Sequence, residues 1–238
     1  MKKLIAAFVV LCSFALSLGQ TSYTGYSWPK SLVRNCIQRT SVLFGQSDKH
    51  EWLGSGVIIS KDGLVLTAAH VVDDANLKAL KMVTWNGNEY DVKVLLVNKR
   101  LDLALVQPKA SAESFNYAPI QESNDLYVGE DILVVGHPLG HMWTVTDGII
   151  GSLPWSVWYF NRIIETNARI LPGNSGGPVF SRKGEVIGIV SALYVDRMGL
   201  PSGIGIVIPI DGIHHILKMY REGLQFHPVK RYKISDLN

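Results

Sequence analysis

The sequence predicts an all-β chain in two halves, closed by one helix. Three observations carry this. Short apolar segments on a two-residue period recur along the chain, separated by glycine, asparagine and aspartate turn signals. A polar stretch, "KASAESFNYAPIQESN" at 109–124, interrupts the series near the middle and reads as a joint. One helical pattern ends it: "PIDGIHHILKMYREG", with Ile213, Ile216, Leu217 and Tyr220 at helical spacing. Many short strands suit a barrel or a sandwich, and the pattern does not separate the two.

At the N-terminus, "MKKLIAAFVVLCSFALSLGQ" pairs a basic start with an uncharged apolar run from Leu4 to Leu18. That run is shorter than the roughly 20 residues of a spanning helix. Small residues Ser17 and Gly19 precede a cut after Gly19, the shape of a secretory signal over 1–19. The cut site is not a clean Ala-x-Ala, so an uncleaved membrane anchor is the alternative. Residues 20–35 read as an irregular leader.

The first half, 36–118, begins at Cys36, the one cysteine left after the signal, which reads as a buried small hydrophobe. "GSGVIIS" and "LVLTAAH" form two strands around Lys61-Asp62-Gly63. "LKMVTWNGNEYDVKVLLVN" forms a hairpin turning at Asn86-Gly87, and "LDLALVQ" alternates after it. The second half, 119–210, holds "DILVVG", "GIIGSL", "RIIETN", "GEVIGIVSAL" and "GIGIVIPI". Residues 211–238 make the helix and a basic tail. "SVWYF", 156–160, is an aromatic run on a loop or edge strand, and His137 and His141 in "GHPLGH" lie on a turn.

Hydrophobic residues at 47% and charged residues at 18% describe a folded chain, not a disordered one. Its 238 residues can build one large core or two small ones. Formal charge is +3, two units of it from Lys2 and Lys3, so the remainder is near +1. With no basic stripe and no interleaved aromatics, nucleic acid is not an expected partner. No CxxC or His/Cys cluster points to zinc, and no cofactor is implied.

The stretch "PGNSGGPVF", Pro172–Phe180, surrounds Ser175 with small residues. It reads either as a surface turn or as a strained loop that holds a nucleophile. The second reading requires a base and a group that orients the base. His70 follows an apolar strand in "LTAAHVV", between small neighbours that leave its ring room. Taken alone, it reads more readily as a core histidine. Asp102 sits in the apolar "RLDLALVQ", where a carboxylate needs a charged or hydrogen-bonding partner. The chain order His…Asp…Ser is one of three in which such a triad occurs. His70 and Asp102 precede the joint and Ser175 follows it, which places a cleft between the halves.

On these blocks, "TAAHVV", "DLALV" and "GNSGGPV", the chain resembles the chymotrypsin-like serine proteases, and within them the bacterial HtrA/Deg group. "VGEDILVVGHPLG", "TVTDGIIGSL", "GEVIGIVSA" and "GIGIVIPI" extend the match over roughly 52–212. The resemblance implies two six-stranded antiparallel β-barrels with a short C-terminal helix and peptide-bond hydrolysis in the cleft. It implies Ser175 as nucleophile, His70 as base and acid, and Asp102 as the group that orients it. The oxyanion hole would come from the 173–175 loop of Gly173, Asn174 and Ser175, through the N–H groups of Gly173 and Ser175. Ser191, Ala192 and Leu193 would pair with substrate, and Ser191 would reach Asp102.

Arg169, Leu171 and Pro172 would flank the pocket for the residue before the cut. Arg169 would favour an acidic residue there or point outward. Asn174 carries no charge, so activation by a newly cut N-terminal amine is not expected. Pro172 departs from the family pattern and does not fix the peptide plane that follows it. The family often continues into peptide-binding PDZ domains, and no such regulation is expected here. Protein or peptide substrates, a periplasmic or secreted location and a homotrimer built on Tyr23, Tyr26 and Trp28 are further expectations. The competing class is a catalytically silent barrel that binds peptides or proteins.

Overall fold

The structure, a computed structural model, describes residues 27–73, 77–109, 114–157, 160–195, 198–199 and 201–224. The signal, Tyr23, Tyr26 and the basic tail lie outside the described residues. Six antiparallel strands form the first barrel: β1 Thr40–Gln46, β2 Glu51–Ile58, β3 Val65–Ala68, β4 Ala79–Val83, β5 Glu89–Asn98 and β6 Leu103–Pro108. They close in the order β1-β2-β3-β6-β5-β4. The second barrel uses β7 Asp131–Gly136, β8 Thr144–Val157, β9 Phe160–Thr166, β10 Pro178–Phe180, β11 Val186–Val195 and β12 Pro201–Pro209. It closes as β7-β8-β9-β12-β11-β10, the same order repeated. Closure pairs the edges that a sandwich would leave open.

Strand β6 shows how the barrels join. Ala104 and Val106 face the interior of the first barrel with Leu43, Ile58, Val65 and Met82. Leu103 and Leu105 face the other way, into a cluster with Ile187, Ile189, Ile213 and Ile216. All four are fully buried, because one face fills a barrel and the other fills the junction. Asn86 and Gly87 form the β4–β5 turn as expected, with Gly87 at φ 83°.

The terminal helix, α3 (Ile210–Arg221), closes that junction, following α1 (Lys30–Gln38) and the single-turn α2 (Ala69–Val72) in the chain. It buries Ile210, Ile213, Ile216, Leu217 and Met219, while Tyr220 is exposed. Asp211 in its first turn and Lys218 and Arg221 in its last complement the helix dipole.

Helix α1 corrects the sequence reading, which took residues up to 35 as irregular. Leu32, Val33, Cys36 and Ile37 sit at one-face spacing and pack on the larger core cluster. Lys30, Ser31, Arg34 and Asn35 dilute that signal in sequence. Burial pushes the Cys36 thiol up to about 12, so it behaves as a small hydrophobe. Trp28 lies under Arg182 of its own chain, 4.4 Å from ring centroid to guanidinium. Among the described residues no helix is long and apolar enough to cross a membrane.

Candidate active site

The β3–β6 pairing sets one wall of the cleft. Ala68 pairs with Leu103, so the residues that follow β3 meet the residue that precedes β6. Those are α2 and Asp102. The Ala69 N–H donates to the Asp102 carbonyl at 3.0 Å, and the His70 N–H donates to Asp102 Oδ1 at 3.0 Å. His70 Nδ1 lies 2.9 Å from Oδ2 and 3.0 Å from Oδ1. From β11, the Ser191 hydroxyl donates to Oδ2 at 2.6 Å. Asp102 is 9% exposed, and these donors offset the cost of burying its charge. It sits in the turn before β6, not inside the strand, at φ 54°, a conformation aspartate tolerates better than most residues.

A carboxylate only accepts hydrogen bonds, so His70 Nδ1 carries the proton and Nε2 carries the lone pair. The His70 side chain is 49% exposed, which leaves that lone pair open to the cleft.

The other wall is the loop between β9 and β10. Asn174 N–H donates to the Leu171 carbonyl at 3.0 Å, and Gly177 N–H to the Asn174 carbonyl at 2.9 Å. The Ser175 carbonyl accepts the Ser55 N–H from β2 at 2.8 Å, and Gly176 N–H donates to Val190 at 2.7 Å. These bonds tie the loop to both barrels. The Ser175 hydroxyl donates to the Ser191 carbonyl at 3.3 Å and makes no hydrogen bond to His70. The structure thus joins His70, Asp102 and Ser191 directly, and Ser175 to the same group through Ser191.

Two backbone donors of this loop stand free. Among the described residues, neither the Gly173 N–H nor the Ser175 N–H meets a protein acceptor. The Pro172–Gly173 peptide plane, which proline does not fix, is held by the Leu139 N–H donating to the Pro172 carbonyl at 2.7 Å. Gly173 lies at φ 100°, and a Cβ there would fall 2.3 Å from the His137 carbonyl oxygen. Gly176, at φ 82°, would place a Cβ 2.1 Å from Thr67 Oγ1. Only glycine suits either position. Asn174 is buried, and its Nδ2 donates to the Arg169 carbonyl at 3.4 Å.

Beside the loop lies a recess of about 190 Å³, lined by Arg169, Ile170, Leu171, Leu193, Gly203, Ile204 and Gly205. Arg169 and Leu171 also border a neighbouring recess of about 410 Å³ with Pro138, Leu139 and His141. Arg169 and Pro172 are exposed, Leu171, Ala192 and Leu193 are half-buried, and Ser191 is buried. Strand β10 pairs with β11 only as far as Ile189, while Ala192 and Leu193 pair with β12 on the opposite edge.

Ser55 and His137 lie beneath the loop and were not singled out by sequence as site residues. His137 lies on the turn after β7, as expected, and is 0% exposed there. The usable signal is "GHPLGH" itself, a histidine held between an apolar strand and a proline. Among the described residues, no three His, Cys, Asp or Glu side chains converge as a metal set.

The chain matches the family described as "Trypsin-like peptidase domain" over residues 54–189. It is 38% identical over 187 residues to the putative serine protease HhoB of Synechocystis sp., covering 76% of this chain and 43% of that protein. It is 34% identical over 200 residues to a probable periplasmic serine endoprotease DegP-like of Halomonas elongata, covering 79% and 41%. The chain therefore spans less than half the length of these curated relatives.

Among solved structures it is similar to the HtrA-type protease AlgW with tripeptide, at TM-score 0.72 and 27% identity, covering 81% of this chain and 64% of that one. The serine endoprotease from Yersinia pestis matches at TM-score 0.70 and 29% identity, covering 83% and 68%. On its repeated six-stranded barrels and this match through more than half its length, the chain belongs to the trypsin-like peptidase family, with HtrA/DegP-like serine proteases as its relatives.

Proposed function

We propose that the chain is a serine endopeptidase that cuts protein or peptide substrates in the cleft between its barrels. The observation that carries this is the Asp102 carboxylate, which orients His70 and binds the Ser191 hydroxyl while Ser191 also holds Ser175. Ser175 Oγ attacks the peptide carbonyl carbon. A serine hydroxyl needs a base to take its proton, and the bare Nε2 of His70 is that base. Rotation of the hydroxyl from the Ser191 carbonyl toward Nε2 makes the transfer. His70 then returns the proton to the leaving amine. Asp102 fixes the Nδ1–H tautomer and balances the imidazolium.

The loop Gly173, Asn174 and Ser175 receives the oxyanion on its two free N–H groups, those of Gly173 and Ser175. Substrate backbone lies along the β11 edge at Ser191, Ala192 and Leu193. The recess beside the loop takes the residue before the cut, and its Ile170, Leu171, Leu193 and Ile204 walls favour an apolar side chain. Arg169 and Pro172 stand at its rim.

The names of the relatives support action in the periplasm. Removal of unfolded proteins, processing of one partner, a homotrimer and an N-terminal anchor are finer readings of the same proposal. A fluorophosphonate serine probe tests it. Ser175 is expected to label, and Ser175→Ala is expected to lose both labelling and peptidase activity, on the order of 10⁶-fold in kcat. A folded chain that labels neither alone nor with added unfolded protein supports the silent-barrel alternative.

A further inference from the structure

The Gly173 carbonyl is held by a buried chain of hydrogen bonds that passes through the opposite barrel. Ser55 Oγ donates to the Gly173 carbonyl at 2.7 Å and lies 2.8 Å from His137 Nδ1. A carbonyl oxygen can only accept, so the single Ser55 proton goes to Gly173. His137 Nδ1 must then supply its own proton to Ser55 Oγ.

The rest of Ser55 is equally occupied. Its N–H donates to the Ser175 carbonyl, and its carbonyl accepts the Thr67 hydroxyl at 2.7 Å. The buried His137 ring packs nearly perpendicular to Trp143, with centroids 5.4 Å apart. Burial pushes its imidazole down to about 4, so it is neutral over the pH range in which most proteins work. Its Nε2 has no partner among the described residues.

We propose that His137 and Ser55 form a relay that positions the 172–175 loop so that the Gly173 and Ser175 N–H groups face the reacting carbonyl. The relay rests on the reading of Ser175 as the nucleophile. Glycine at φ 100° turns its peptide planes at little cost, so the loop needs outside anchors. One anchor, the Leu139 N–H, holds the plane before Gly173, and the relay holds the plane after it. Both come from the 137–139 segment, in which Leu139 itself stands at φ 52°. The Nδ1–H fixes the Ser55 hydroxyl so that its proton points at Gly173, and the two bonds reinforce each other. His137 touches neither substrate nor nucleophile; it is a positioning residue.

The test compares fluorophosphonate labelling rates, kcat and KM for the unaltered chain, Ser55→Ala, His137→Leu and His137→Asn, with Ser175→Ala as the blank. Ser55→Ala and His137→Leu should each slow labelling and kcat by about 10²-fold with KM unchanged, the scale of one lost oxyanion donor. Asparagine carries Nδ2 on Cγ, as histidine carries Nδ1, so His137→Asn should recover to within about tenfold of the unaltered rate. Should His137→Leu fail to fold, Ser55→Ala carries the test, since it removes one hydroxyl.

A folded Ser55→Ala chain that labels at the unaltered rate overturns the relay. So does equal slowing of His137→Leu and His137→Asn, which marks a packing role. If the unaltered chain does not label, the failure belongs to the nucleophile reading. Imidazole ¹⁵N spectra then decide the relay: a protonated Nδ1 with bare Nε2 on His137 supports it, and the opposite tautomer overturns it.

Discussion

The two barrels repeat one strand order, yet each places a histidine near the site in a different setting. His70 follows β3 of the first barrel, and His137 follows β7 of the second. Both donate through Nδ1 and keep Nε2 bare. They differ in what receives the proton and where the lone pair looks. His70 faces a carboxylate and is half exposed. His137 faces a serine hydroxyl and is sealed. A carboxylate partner stabilises the imidazolium, so the first site can take up a proton during a reaction. Burial disfavours the charge on His137 and a hydroxyl partner does not balance it, so the second site stays neutral and serves as a fixed donor.

Removing the feature that separates the two sites should have the largest effect. Asp102→Asn replaces the acceptor with a group that can donate to His70 Nδ1. His70 then turns to the wrong tautomer, and kcat should fall about 10⁴-fold while the fold persists. Steady-state kinetics with a peptide substrate would read this. A loss under tenfold would mean that His70 does not depend on Asp102 and that the two histidines are more alike than the geometry indicates.

Gly173→Ala tests the loop that both histidines serve. The new Cβ meets the His137 carbonyl at 2.3 Å, and φ 100° is unfavourable for alanine. The loop must shift, which tilts both free N–H groups. The expected loss in kcat is about 10²–10³-fold, the scale of one lost oxyanion donor. Gly87→Ala is the matched control, because it has similar φ, open space around it and no link to the cleft. Equal kinetic effects from the two changes would remove the special place of the 172–175 loop.

Acid should separate the sites through stability. The folded-state pKa of His137 is about 4, below the ordinary value of 6.5. Between these values the unfolded chain binds a proton that the folded chain does not. Stability therefore falls as pH drops from about 6.5 to about 4, by about 3 kcal/mol at most from this one group. Denaturant melts across that range should show the slope, and His137→Asn should flatten it. A slope that survives the substitution would assign the acid sensitivity elsewhere.

The strands were legible in sequence from alternation and glycine turns, while their closure into two barrels rested on the resemblance, because the same pattern suits a sandwich. His70, Asp102 and Ser175 were each ambiguous alone, and only their chain order and the resemblance singled them out. Helix α1 was not legible, since four polar residues dilute its apolar face. Nor was the relay. Ser55 and His137 are 82 positions apart and meet only because Ser55 lies on β2 while His137 follows β7. The orientation of the Pro172–Gly173 plane was equally hidden, because it depends on the Leu139 N–H, a backbone group that sequence does not mark.

Arg169 should have the smallest effect. The resemblance placed it where a cation would either select an acidic residue before the cut or point outward. In the structure it is exposed, and its carbonyl, not its guanidinium, holds the loop through Asn174 Nδ2 and Thr146 Oγ1. The recess beside it is walled by Ile170, Leu171, Leu193 and Ile204. An exposed ion pair contributes at most about 1 kcal/mol, so Arg169→Ala should lower kcat/KM for a glutamate-bearing peptide by no more than about fivefold. A valine-bearing peptide should remain the better substrate for both chains. A larger loss confined to the glutamate peptide would mean that substrate closes over Arg169 and desolvates it. The second barrel would then supply a working charge to the cleft, as Asp102 does from the first.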